Sequence, residues 1–231
     1  MLKVPPKALP ANMVLRALLC NCLLALFAAA VAAGPPGPPL RIVVFGDSLV
    51  AGFGLKPSEA FPAQLERALK ARGHSVEVIN AGVSGDTTAG GLERVGWAVP
   101  EHTDAVILEL GANDALRGLD PARAKANLDR IIAIIKASGA QVLLAGMLAP
   151  HNLGEAYARA FDAIYPDLAA KHGVMLYPFF LDGVALNAKL SLADGLHPNS
   201  EGVAKITERI LPLVEQLIQR VDAHTGTRSK G

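Results

Sequence analysis

The chain has 231 residues, 51% of them hydrophobic, with 22 basic and 21 acidic side chains. That is enough apolar mass for one well-buried domain, and the near-zero charge argues against a nucleic-acid partner or an anionic membrane surface. The only cysteines are Cys20 and Cys22.

Residues 1–33 read as a secretory signal peptide. Lys3, Lys7 and Arg16 precede an apolar run from Ala17 to Ala32, broken only by Asn21, that closes on the A-x-A pattern Ala30-Val31-Ala32. A charged start, a short apolar helix and small residues are what a signal peptidase accepts. An uncleaved anchor would want about 20 spanning residues. Cys20 sits mid-run with more apolar residues after it, which is the wrong place for a lipidated start. Cleavage would leave 19 basic against 21 acidic residues and remove both cysteines. The exported domain, periplasmic or secreted, is then expected to carry no disulfide, no cysteine-based metal site and no thiol nucleophile, with no stable membrane insertion.

"GPPGPPL" (34–40) is a Pro/Gly linker that cannot form helix. A single domain is expected over 41–221. Apolar strand-like runs follow at 41–45, 75–80, 104–110, 141–148 and 174–179, alternating with helical stretches near 59–72, 87–98, 121–138, 155–172 and 200–221. Gly73, Gly139 and Gly173 stand as helix stops, and Pro121 as a helix start. Nearly continuous apolar strands separated by helices define a parallel sheet covered on both faces, a doubly wound α/β sandwich. Residues 222–231 read as a flexible tail.

Ligands in such sheets bind beyond the carboxyl ends of the strands. Gly46-Asp47-Ser48-Leu49 follows the first run, "SGDT" with Gly85 the second, "GAND" with Asn113 the third, and "DGLHPN" with Asp194 and His197 lies downstream of the fifth. These four polar loops converge on one edge of the sheet. A serine hydroxyl needs a base to take its proton, and the base needs a third group to fix its tautomer. Asp194, three residues before His197 in a glycine-containing turn, can hold one ring nitrogen while the other faces Ser48. The Ser48 and Gly85 N–H groups and the Asn113 amide are the available donors for an oxyanion. Gly85 has no side chain to keep an acyl group from its N–H.

The set "GDSL", "SGDT", "GAND" and "DGLHPN" resembles the SGNH (GDSL) hydrolase superfamily. With "INAGVSGDTTAGGLERV", "ELGANDALRG", "AFDAIYPDLA" and "YPFF", it is similar to the bacterial periplasmic thioesterase I, lysophospholipase and arylesterase group. The resemblance spans about Arg41 to Leu213. It implies a flavodoxin-like three-layer α/β/α sandwich with a five-stranded parallel sheet, Ser48 as nucleophile, Asp194 and His197 as its partners, and Gly85 and Asn113 as oxyanion donors. It also implies a small-molecule acyl ester or thioester substrate, lysophospholipid included, and a monomer without cofactor or metal. Ala112 departs from the "GGND" often found in that group.

Two other readings use the same loops: a carbohydrate O-deacetylase, and a non-catalytic flavodoxin-like binding module, which would have no use for a His-Asp pair. Asp47 and Asp86 are expected to form structural hydrogen bonds. His74, His102, His151, His172 and His224 lack ligand spacing. Trp97 and Met147 read as packing residues. Leu116, Leu119, Leu148 and Leu153 are placed to flank the site, either as an apolar groove for an acyl chain or as loop anchors.

Overall fold

The computed structural model describes residues 38–228. The proposed signal peptide and most of the Pro/Gly linker lie outside them, and the compact unit begins at Pro39. Five strands form one parallel sheet: β1 (Leu40–Gly46), β2 (Val76–Gly82), β3 (Ala105–Glu109), β4 (Gln141–Ala145) and β5 (Met175–Tyr177), in the order β2-β1-β3-β4-β5. The central strands are buried on both faces. Ile42 to Phe45 in β1 and Ala105 to Leu108 in β3 are all inaccessible to solvent, which is why their sequences run apolar without alternation. Val44 sits between Asn80 and Ile107, and Ile107 between Val44 and Leu143.

The helices are α1 (Ser48–Ala51), α2 (Phe61–Ala71), α3 (Thr88–Ala98), α4 (Ala112–Leu116), α5 (Pro121–Ala137), α6 (Glu155–Asp162), α7 (Ile164–His172) and α8 (Ser200–Arg228). α2 packs with α8, and α5 with both α3 and α7, so the sheet is sandwiched between two helical layers. Gly73, Gly139 and Gly173 end their helices with positive φ, and Pro121 opens α5 behind the N-cap Asp120, whose Oδ1 accepts from the Ala122 N–H. None of the helices among the described residues is long and apolar enough to cross a membrane.

Three sequence expectations need correction. The single helix expected over 155–172 is two, divided at Ala163. Pro166 has no N–H to offer the Asp162 carbonyl, so the hydrogen-bond ladder breaks there. The final helix continues past Val221 to Arg228, where a tail was expected. Extending a formed helix costs far less than starting one, so no apolar face is needed for the added turns. Met147 is buried as a packing residue should be, but Trp97 is 74% exposed. α3 turns Thr88, Gly91, Arg94 and Val95 inward, and position 97 falls on the outer side of that face.

β1 has β2 on one side and β3 on the other, so the chain order reverses across it. This is the switch point where such sheets open a crevice at their carboxyl edge. Because Ile107 fills the centre of that sheet without solvent contact, Ile107→Ala is expected to lower unfolding free energy by about 2–5 kcal/mol in denaturant titration.

Candidate active site

Ser48 is the first residue of α1, directly after the switch-point strand. Asp47 caps that short helix, its Oδ1 accepting the Leu49 N–H at 3.0 Å. The turn therefore fixes the backbone on both sides of the hydroxyl. From the opposite wall comes the loop carrying Asp194 and His197. A bridge between Ser191 and Pro198 closes this loop, the Leu192 N–H donates to the His197 carbonyl at 2.8 Å, and the Asn199 N–H donates to the Leu190 carbonyl at 2.9 Å. The Asn199 side chain then ties the loop to the start of α8, donating to the Lys189 carbonyl and accepting from the Gly202 N–H, each at 2.9 Å.

These loops bring three side chains into one hydrogen-bonded line. His197 Nε2 lies 2.9 Å from Ser48 Oγ, and His197 Nδ1 lies 2.7 Å from Asp194 Oδ2. Asp194 Oδ1 accepts the N–H groups of Leu196 and His197 at 2.9 and 3.0 Å. Hydrogen bonds from the His197 and Leu196 backbone, and then from the imidazole, hold the Asp194 carboxyl down at about 2. Phe53 lies against the His197 ring with centroids 4.5 Å apart. A hydroxyl, an imidazole that can take its proton and a carboxylate that fixes the imidazole are the parts of a nucleophilic serine.

Gly85 is exposed on the loop after β2, with φ +79, a conformation that L side chains rarely adopt. A Cβ there would meet only Arg117 Nη2, at 3.8 Å, so backbone conformation rather than crowding asks for glycine. Arg117 donates to the Gly85 carbonyl at 2.8 Å and steadies the loop. Asn113 stands in the first turn of α4. Its amide is already engaged, donating to Asp47 Oδ2 at 3.0 Å and to the Asp86 carbonyl at 2.9 Å. The sequence placed it as an available donor; the structure also makes it the tie between the loops that carry Ser48 and Gly85. An oxyanion beside Ser48 would have to share that amide with Asp47.

Asp47 and Asp86 do form structural hydrogen bonds, and each points to a residue that the sequence reading passed over. Asp86 Oδ2 receives Arg94 Nε at 2.7 Å. Arg94 is buried in α3, donates to the Ala81 and Gly46 carbonyls at 2.8 Å each, and lies 3.9 Å over the Phe45 ring. Asp47 faces Glu109, whose Oε2 accepts the Asp47 N–H at 3.3 Å. Burial pushes the Asp47 carboxyl up to about 6 against the opposing pull of its hydrogen bonds from Leu49 and Asn113. Glu109 had a visible signal, a lone charge inside the apolar run 105–110. Arg94 had none, since an arginine in an amphipathic helix usually faces solvent.

Leu116, Leu119 and Leu148 are exposed at the strand-end loops, and Leu153 is half-buried. Among the described residues, no group of three or more His, Cys, Asp or Glu side chains could hold a metal ion.

A parallel α/β sandwich with a Ser-His-Asp line at its switch point is the build of a serine hydrolase. Residues 44–205 match the GDSL-like lipase/acylhydrolase family, and the chain belongs to it. An arylesterase of Vibrio mimicus is 43% identical over 169 residues, covering 73% of this chain and 84% of that protein. Thioesterase 1/protease 1/lysophospholipase L1 of Escherichia coli K12 is 36% identical over 178 residues, 77% of this chain and 84% of its own. The crystal structure of AlinE4, an SGNH-hydrolase family esterase, superposes with a TM-score of 0.67 at 45% identity, covering 79% of this chain and 98% of that one. The fold is thus the SGNH-hydrolase sandwich, and Ala112 leaves Asn113 within reach of Asp47.

The depressed value of Asp194 can be checked directly. Its side-chain carboxyl carbon, followed by NMR as pH is lowered, is expected to titrate near 2 rather than at the ordinary 3.8, so the pairing with His197 persists through mildly acidic pH. A midpoint at the ordinary value would show that the turn does not hold the carboxylate.

Proposed function

We propose that the chain hydrolyses acyl esters and thioesters, lysophospholipids among them, through an acyl-enzyme on Ser48, and that it does so after export. The observation that carries this reading is the unbroken line from Ser48 Oγ to His197 Nε2, 2.9 Å, and from His197 Nδ1 to Asp194, 2.7 Å.

Ser48 Oγ attacks the acyl carbon as His197 Nε2 takes its proton. The carbonyl oxygen becomes an oxyanion facing the Ser48 and Gly85 N–H groups and the Asn113 amide. Collapse of the tetrahedral intermediate passes the proton from His197 to the departing alcohol or thiol. Water then repeats the sequence on the acyl-enzyme, its proton going to His197 and on to Ser48, and the carboxylic acid is released. Asp194 remains ionised throughout and stabilises the transient imidazolium.

The exposed Leu116, Leu119 and Leu148 offer apolar surface at the strand-end loops, as an acyl chain requires. Similarity to an arylesterase and to a thioesterase/lysophospholipase favours ester and thioester substrates over a sugar acetate. Export rests on residues 1–33 and on the small-residue pattern Ala30-Val31-Ala32. The mature protein is expected to begin near Ala33 or Gly34, work as a monomer and contain no cysteine. An intact-chain mass recovered from an envelope fraction would defeat the export reading.

An organophosphonate should label Ser48, and Ser48→Ala should abolish both labelling and ester hydrolysis while keeping the fold by circular dichroism. Labelling at another serine, or turnover in that variant, would end the proposal. Asn113→Ala should lower kcat by roughly 10²–10³ with little change in KM, since the donor acts on charge that develops only in the transition state. Slow phosphonate labelling should persist in it, because nucleophile and base remain.

A further inference from the structure

Glu109 has no part in the reaction as written, yet it lies directly behind the nucleophile. Its side chain is fully inaccessible, at the carboxyl end of β3. Oε2 accepts the Asp47 N–H, and Oε1 is buried with no hydrogen-bond partner among the described residues. The backbone N–H that Oε2 accepts belongs to Asp47, so the two acidic residues meet at the ends of β1 and β3. Two buried carboxyls so placed make each other's ionisation harder. The charged and titratable groups around the pair are Asp47 itself, His197 across the nucleophile, Asp114 on α4, the Tyr165 hydroxyl on α7 and the Arg94 guanidinium on α3.

None of these neutralises Glu109. Arg94 is paired with Asp86, Asp114 accepts from the Thr88 N–H and hydroxyl, and Tyr165 donates its proton to the Leu110 carbonyl. An ionised Glu109 would leave a charged oxygen, Oε1, buried without a donor among the described residues. A neutral acid leaves there only a carbonyl oxygen and gives Oε2 a proton to donate. Asp47 spends its other lone pairs on the Leu49 N–H and the Asn113 amide.

We propose that Glu109 is a positioning residue held as a neutral acid, donating to Asp47 and so fixing the carboxylate that orients the Asn113 amide beside Ser48. The proposal rests on the reading of Asn113 as an oxyanion donor. Burial, and after it the Asp47 charge, push the Glu109 carboxyl well above the carboxylate range. Native Glu109 and Asp47 therefore keep protons at pH values where the unfolded chain, titrating near 4, has lost them. Their contribution to stability is present below that value and is lost as pH rises towards their raised values.

Infrared spectroscopy reads the acid without turnover. At neutral pH the wild-type protein should show the C=O stretch of a protonated carboxylic acid, sensitive to deuterium exchange, and Glu109→Gln should lose it. Absence of the band in wild type, or an undiminished band in Glu109→Gln, overturns the proposal. Denaturant titrations should show wild type losing stability relative to Glu109→Gln as pH rises from about 4 to neutral; parallel curves would count against it equally.

Positioning is tested by kinetics. Glu109→Leu removes the donor and should lower kcat about tenfold with KM within about twofold, and Glu109→Gln, whose amide can still donate to Asp47, should recover most of the loss. Wild-type kcat in Glu109→Leu would leave Glu109 as filler. If Glu109→Leu does not fold, the side-chain amide NMR signals of Asn113 decide: as pH is raised they should shift with the ionisation of Glu109 in wild type, a step that Glu109→Gln should lack, and identical behaviour in both would overturn the proposal. The infrared and NMR readouts hold even if Ser48 proves not to be the nucleophile, so the two proposals fail separately.

Discussion

A carbonyl oxygen has two lone pairs and a parallel ladder uses one of them, as where the Val83 N–H donates to the Gly46 carbonyl at the ends of β1 and β2. In this protein the ends of β1 and β2 converge on one guanidinium. Arg94 donates to the Gly46 and Ala81 carbonyls, while its Nε pairs with Asp86 on the loop that carries Gly85. The planar fork reaches three acceptors in fixed directions, which a lysine could not do. Breaking a buried charge pair by removing one partner typically costs about 3–5 kcal/mol. The strand that leads to Ser48 and the loop that carries Gly85 thus share a buried anchor, and it helps set the position of Ser48 relative to Gly85.

The two walls of the site are stiffened by different means. On the buried side, Arg94, Asp47 and Glu109 are shielded from water, where each unsatisfied atom is expensive, and the half-buried Asn113 donates to Asp47 at their edge. On the open side, Asp194 and His197 ride on a loop held by backbone hydrogen bonds and by Asn199. The exposed loop needs this local closure because solvent weakens every charge interaction on it. The Asp194 carboxyl is accordingly held down by backbone N–H groups first and by the imidazole after them.

What the sequence made legible follows the same division. Apolar runs such as "RIVVF" and "DAVILEL" mark buried parallel strands because nothing on either face breaks the pattern, and the glycine-marked loops after them mark the carboxyl edge. Ser48, Gly85, Asn113, Asp194 and His197 were readable because their spacing places one polar loop after each of several strands. Tertiary pairing was not readable: no local pattern says that an arginine will turn inward, or that Glu109 will meet Asp47 across 62 positions. The break at Ala163 was in principle visible in Pro166, but the apolar spacing of 155–172 continues across it and hid the break. Trp97 shows the converse error, since size and apolarity alone do not decide which side of a helix a residue occupies.

The arrangement also bears on how three acidic side chains can lie around one serine if that serine is to act as the proposed nucleophile. Asp194 is charged, but it sits on the far side of the imidazole, where its field favours proton transfer away from Ser48. Asp47 and Glu109 lie on the near side, where two full negative charges would oppose the oxyanion proposed to form there. Hydrogen bonds from Leu49 and Asn113, together with a proton kept by Glu109, reduce that opposition to at most one charge, and that charge is already spread over donors. The Asn113 amide that disperses the charge is also the proposed oxyanion donor, so on that proposal the acidity behind Ser48 and the donor beside it are set by one hydrogen bond.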